Sequence, residues 1–466
     1  MRCVTIVAVG CALALVPIAA RAANEPRPFD RQARALFAEL IALDTSREGR
    51  KVNEAAELLA RRFRAAGFPE GDIRILPFAD AASFVVRYRG RPNSRRKPVL
   101  LLAHLDVVPA RRADWQRDPF ELIEENGYFF GRGTSDNKDG VVAIATALLR
   151  LKAEGFVPQR DLVFYASGDE ETAQMTTLDV ARNRRELIDA EFALNSDGGG
   201  GTLDEGSDAA LYYELQTAEK TYADFSWTAR NPGGHSSQPR ADNAIYELAA
   251  ALERLRAFRF PPMSNEATRA SLKLAGAMTG GELGAMLERF AANPADTVAA
   301  DYLFDQPAYV GQTRTTCVAT MLSGGHAPNA LPQTATATIN CRIFPGMPVA
   351  AVHAALQSIA GAAIEVRAIG EPMWSDPSPL REDIVRAVAQ ALAAIGRPTR
   401  IVPAQSSGTT DGVVFRNVGI PTYGVSGMFM KNSDNFAHGL NERVPVRGFY
   451  DNLEFWYRLL KALAGR

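Results

Sequence analysis

Histidine is scarce in this chain, with five among 466 residues, and cysteine is scarcer still, with four. Charge of one sign is missing too: 52 lysines and arginines stand against 53 acids, a formal net charge of −1. A near-neutral balance excludes the basic footprint that nucleic acid or an anionic membrane surface requires. Beyond the first residues no run reaches the ~18 uninterrupted apolar positions of a spanning helix, so stable membrane insertion is not expected. Internal repeats and low-complexity tracts are lacking, which sets solenoids aside. What is present is a globular composition, 47% hydrophobic, on a chain long enough for two cores.

The opening, "MRCVTIVAVGCALALVPIAARAANEP", combines one early arginine, an apolar stretch from Val4 to Ala20 and the small-x-small sequence Ala20-Arg21-Ala22. It reads as a cleavable signal peptide over 1–22, implying a periplasmic or secreted protein. A second reading makes Cys11 a lipid-modified cysteine after "AVG", and the very short preceding apolar run stands against it. Without Arg2 and Arg21 the net charge moves to about −3. Cys317 and Cys341 alone then remain, in strand-like segments on either side of a turn near Asn329. A hairpin centred there sets them opposite each other, either as a disulfide or as two half-buried thiols.

Residues 31–66 carry the periodicity of two helices. Continuous apolar runs, "PVLLLAHLD", "DLVFYASGDEE" and "EFALNSD", then alternate with helical stretches such as "DGVVAIATALLRLKAEG". That alternation predicts an α/β domain with a largely parallel mixed sheet. From about 216 to 368 the style changes to half-solvated strands, "YADFSWTAR", "TTCVATML" and "ATATINCRIF", with helices between them. The expected organisation is a catalytic domain over 23–215 and 369–466, interrupted at 216–368 by an inserted α+β lid or dimerisation domain.

Ligand sites in open α/β sheets gather beyond the carboxyl ends of the strands. Here "VLLLA" ends at His104, "LVFYA" leads into Asp169-Glu170-Glu171, "EFALNS" leads into Asp197, and Asp136 begins a helix. One histidine and several carboxylates converging on one edge make an N/O donor set for a divalent transition metal, zinc first. Asp106, two residues after His104 in an extended segment, points the same way and is placed to hold the second imidazole nitrogen. His353, inside "AAVHAALQSI", reads as an ordinary helix residue. His235, His326 and His438 stand in loops beside glycine or at strand ends, where chemistry concentrates.

Taken in order, "AHLDVVP", "GRGTSDNKDG", "ASGDEET", "NSDGG", "NPGGHSS" and "AHGLNERV" resemble the M20 family of dinuclear zinc peptidases and deacylases, over nearly the whole chain from Arg31 on. That resemblance implies two Zn2+ per subunit: Asp136 bridging, His104 and Asp197 completing one site, Glu171 and His438 the other. It also implies a cis peptide bond after Asp136. Glu170 would stay off the metal, take a proton from the attacking water and deliver it to the leaving amine, while Asp169 reads as structural. His235 matches a histidine that stabilises the oxyanion, often in the partner subunit's site, which implies a homodimer through the inserted domain. Asn329 in "HAPNALP" and Arg342 in "NCRIFPG" match positions that hold a substrate carboxylate, and Gly408 in "SSGTTDG" matches a loop beneath the substrate. His326 has no counterpart. The stretch 263–312 resembles added helical material of the carboxypeptidase S-like branch; it would shape an acyl or side-chain pocket, or pack on the insertion's outer face.

The expected activity is hydrolysis of the amide next to a terminal amino acid with a free carboxylate. The substrate is a small peptide or an N-acyl amino acid, and the sequence does not separate these two. A catalytically silent amino-acid or peptide-binding member, and a single-metal aminopeptidase-like enzyme, are the rival readings. Intact Glu170 and the five metal-competent side chains oppose the first; Arg342 and Asn329 oppose the second.

Overall fold

The computed structural model describes Arg27 and residues 29–465, so the leader 1–22 with Cys11 lies outside the described residues. Two sheets organise the chain. In the larger, Leu162–Ser167, Val99–His104, Phe192–Asn195 and Thr422–Gly424 lie side by side and parallel. Antiparallel strands extend it at both margins, Ile73–Phe78 and Ala81–Tyr88 on one side, Ala210–Glu219 and Gly200–Leu203 on the other.

The apolar runs become central strands because both faces are covered. Along Val99–His104, Val99, Leu101 and Ala103 enter one core while Leu100 and Leu102 enter the opposite one. Period-two geometry sends successive side chains to opposite faces, so only a run without polar breaks satisfies both cores. The first core is closed by helices that include Asp30–Ile41, Val52–Ala65, Lys138–Ala153 and Val446–Ala464. The last of these presents Phe449, Leu453, Trp456 and Leu460 at three- and four-residue spacing.

The chain leaves the large sheet at Glu219 and enters a second sheet at Thr221. This sheet is antiparallel, in the order Thr316–Gly324, Thr334–Ile343, Thr221–Arg230, Ile364–Ile369. Alternate residues such as Phe225, Trp227 and Ile339 pack against helices Ala244–Ala257 and Val349–Ala360. Its other face is more polar, which explains the alternating sequence pattern. Cys317 and Cys341 are register partners and are disulfide-bonded.

The helical stretch packs in a place the sequence did not indicate. Helix Glu266–Thr279 starts at a reciprocal capping box, Asn265 with Thr268. It lies against Ile401–Ser406 and Ala210–Glu219 of the large sheet rather than on the insertion's outer face. Asn265 donates to Gln405 at 2.7 Å. Together with Gly281–Ala292, Thr297–Phe304 and Pro307–Thr313 it encloses its own core of Leu272, Leu287, Phe290 and Leu303. No helix among the described residues is long and apolar enough to cross a membrane.

Candidate metal centre

Parallel neighbours end on the same side, so the sheet delivers its acids and His104 to one edge. His104 closes Val99–His104, the acidic turn follows Leu162–Ser167, and Asp197 follows Phe192–Asn195. Asp136 sits just before helix Lys138–Ala153, and its bond to Asn137 is cis. His438 arrives from the C-terminal segment on a left-handed residue, φ 63°.

The two oxygens of Asp136 face different histidines. Oδ1 lies 2.8 Å from His104 Nε2, and Oδ2 lies 3.0 Å from His438 Nε2. Around His104, Asp197 Oδ2 stands at 3.9 Å; around His438, Glu171 Oε1 stands at 3.0 Å. Donor atoms of His104, Asp136 and Glu171 all fall within 4.8 Å of one another, as do those of His104, Glu170 and Asp197. Glu170 therefore borders the centre closely, with Gln174 donating to its Oε1 at 3.1 Å.

The supporting contacts differ from expectation at Asp106. His104 Nδ1 donates to the backbone carbonyl of Asp106 at 3.0 Å, and the carboxylate is farther, at 3.5 Å. This carbonyl fixes the tautomer that leaves Nε2 free for a cation. The Asp106 carboxylate instead accepts the backbone N–H groups of Glu170 and Glu171, at 3.1 and 3.0 Å. It thus shapes the acidic turn, because an extended residue two positions on reaches the neighbouring strand's end. Asp169 turns the other way and accepts from Met175 and Thr176 at the start of helix Met175–Asn183, a structural role.

Two residues passed over in the sequence lock the loops. Glu442 accepts from Arg132 at 2.6 Å and from the backbone of Gly133, Ser135 and Asp136 at 3.0, 2.8 and 3.2 Å. Arg132 also donates to the carbonyl of Gly439 at 3.2 Å, next to His438. Both side chains are buried. The only hints were their places in "GRGTSDNKDG" and "AHGLNERV". Asp411, pushed up to about 7 by burial, accepts the hydroxyl of Ser167 beneath the acidic turn.

The electrostatics describe a site short of positive charge. Burial opposes ionisation of Asp136, yet hydrogen bonds from His104 and His438 outweigh it and hold the carboxyl well below its ordinary range. Hydrogen bonds to Asp136 and Glu171 push His438 up to about 10. Burial works against a charged His104, but Asp106 and Asp136 prevail and raise it well above an ordinary histidine. Glu170 and Asp197 are raised chiefly by burial. Four carboxylates against two histidines, all N/O donors, suit divalent cations.

Arg342 lines a cavity of about 530 Å3 that also reaches Glu170 and Glu171. Its guanidinium lies 4.7 Å from the Tyr222 ring centroid, and no carboxylate among the described residues pairs with it. Thr409, the neighbour of Gly408, lines the same cavity. His235 and Asn329 are brought together elsewhere: Gly234–His235 pairs with Ala330–Leu331, and Ser236 donates to the Asn329 carbonyl at 3.0 Å. His235 is exposed, with Nδ1 2.7 Å from the Ser237 hydroxyl, and neither residue lines the Arg342 cavity. His326 is exposed, and His353 meets the Val366 carbonyl at 3.0 Å as a packing residue.

The sequence pattern of peptidase family M20/M25/M40 matches residues 100–462. Human N-fatty-acyl-amino acid synthase/hydrolase PM20D1 is 27% identical over 379 residues, covering 78% of this chain and 74% of that protein. Aminoacylase-1 of Pongo abelii is 25% identical over 437 residues, covering 92% and 94%. The M20 family metallo-carboxypeptidase Sso-CP2 from Sulfolobus solfataricus superposes with a TM-score of 0.70 at 19% identity, over 92% of this chain and 98% of that one. A match over more than half of the chain, carried by the motifs that build the centre, places this protein in peptidase family M20/M25/M40, the metal-dependent hydrolases.

Proposed function

We propose that this protein is a di-zinc carboxypeptidase or dipeptidase that cleaves the amide next to a terminal amino acid with a free carboxylate. The observation that carries the reading is Asp136, whose two oxygens each meet a different histidine, 2.8 and 3.0 Å away. A carboxylate so placed offsets the repulsion between two neighbouring cations. His104 and Asp197 would hold one, His438 and Glu171 the other. Two zinc ions held there would supply Lewis-acid polarisation of the scissile carbonyl and ease deprotonation of the attacking water. Glu170 takes that proton and returns it to the leaving amine. Arg342 grips the terminal carboxylate through its planar fork, with the Gly408 loop beneath.

The remaining assignments complete the reading. His235 and Asn329 serve the partner subunit's site in a homodimer built through the inserted sheet. Strand Thr316–Gly324 supports such an assembly, being an edge strand that exposes Val318, Met321 and Leu322. The protein acts in the periplasm or outside the cell after removal of residues 1–22.

Removal of an N-acyl group from an amino acid is the second reading, favoured by the likeness to PM20D1 and aminoacylase-1. The test is an assay of the zinc-loaded protein on dipeptides and N-acyl amino acids, with a chelator control. Turnover of either class that a chelator stops and a C-terminal amide abolishes is the expected result. Hydrolysis that survives chelation overturns the proposal.

A further inference from the structure

A second cavity opens on the other side of the centre. It measures about 270 Å3 and is walled by Asp136 and Asp197, by the turn 198–201, and by Glu214 and Met428. The turn lies low because it is bare: a Cβ on Gly199 would collide with the carbonyls of Gly424 and Glu214, and one on Gly198 with Gln216. Positive φ at Gly199 and Gly200, 70° and 117°, fits glycine alone. The result is a floor without side chains beside Asp197.

Glu214 stands in strand Ala210–Glu219 between Tyr213 and Leu215, both of which enter the core. Alternation therefore turns its side chain to the opposite face, where the cavity is. Among the described residues it has neither a hydrogen-bond nor an ion-pair partner, and burial alone pushes its carboxyl up. The one cation in the lining, Lys431, is drawn outward, its Nζ 3.6 Å from Asp208. Asp139, buried in the same wall, leaves Oδ1 without a partner. One side of the centre thus offers a free guanidinium, Arg342, and the other a free carboxylate.

We infer that this second cavity receives the residue on the amino side of the scissile bond and that Glu214 selects one carrying a cation, a basic side chain or a free ammonium. The inference rests on the amide-hydrolase reading and narrows it towards basic or unblocked dipeptides, away from neutral fatty acyl groups. A charge-assisted hydrogen bond in a half-enclosed site corresponds to about a 10- to 100-fold preference.

The experiment compares kcat/KM of the zinc-loaded full chain on lysyl, norleucyl and glutamyl dipeptides sharing one C-terminal residue. N-acetylated lysyl and norleucyl forms and an N-dodecanoyl amino acid are run alongside. Lysyl should exceed norleucyl, and glutamyl should be poorest, unless acetylation of the norleucyl peptide alone produces the loss; that pattern assigns the cation to the α-ammonium. Glu214→Gln should bring the lysyl and norleucyl values, or the free and acetylated ones, within about threefold, mainly through KM, and Glu214→Lys should favour glutamyl. Equal or better turnover of neutral acyl groups by the wild type overturns the inference while leaving the hydrolase reading intact, and it needs no variant to fold. Absence of any chelator-sensitive turnover removes both.

Discussion

At the scale of single residues, the adjacent acids 169–171 divide three tasks among three neighbours. Asp169 caps a helix, Glu170 borders the cation site, and Glu171 meets His438 across 267 positions of sequence. If Glu170 moves the proton, Glu170→Gln should retain its zinc and lose ~10²–10⁴-fold in kcat. Metal analysis beside steady-state rates checks this, and near-wild-type turnover removes the assignment. The histidines supply a second prediction. Before a cation binds, His438 is pushed up to about 10 and His104 is raised as well, so below that pH an incoming metal displaces protons. Affinity should therefore rise with pH, by about tenfold per unit for each proton released. Titration against a competing chelator at pH 6 and pH 8 reads the slope, and a pH-independent affinity contradicts it. The convergence of His104, Asp136, Asp197 and the acidic turn on one sheet edge was legible because each acid follows an apolar run or opens a helix, whereas the choice of His438 among the loop histidines and of Glu171 over Glu170 came only from the resemblance to the M20 family. Glu214 was not legible, since "ALYYELQTAE" reads as a strand with an ordinary outward glutamate, and only packing decides that no cation comes near it.

At the scale of elements, strand ends alone do not bring Asp136 and His438 to within 3.0 Å; the loops bearing them must be held together. Glu442 does this by accepting from Arg132 and from the backbone N–H groups of Gly133, Ser135 and Asp136, while Arg132 grips the loop of His438. Removing the charge of Glu442 leaves a buried guanidinium unpaired, which costs about 3–5 kcal/mol. Glu442→Gln should lose stability on that order in denaturant unfolding. It should also weaken zinc binding by ~10–100-fold, as changes behind metal ligands do. A variant with normal zinc affinity would falsify the clamp even if it melts early. The strands themselves were readable from two periods, continuous runs for the large sheet and alternation for the smaller one. The seating of helix Glu266–Thr279 on the large sheet was not, because an amphipathic pattern states that a face is buried and not against what.

At the scale of the whole molecule, two residues expected at the site stand apart from it. His235 pairs with Ala330 in a short antiparallel ladder next to Asn329, and neither His235 nor Asn329 lines the cavity of Glu170 and Arg342. The inserted sheet meanwhile ends in an uncovered strand whose Met321 and Leu322 are 69% and 70% exposed. In the proposed homodimer, pairing two such edges around a twofold axis would cover both at once, since an isologous contact uses the same patch twice. Met321→Lys with Leu322→Lys should then yield monomers in light scattering that keep zinc and lose activity. Complementation decides whether His235 crosses over. If it does, His235→Ala and Glu170→Gln would each disable every site in their own homodimers, whereas a heterodimer would contain one site with both residues intact. Random pairing of equal amounts should restore about a quarter of wild-type activity, and purified heterodimers about half. Inactive heterodimers of demonstrated composition exclude His235 from the partner's site.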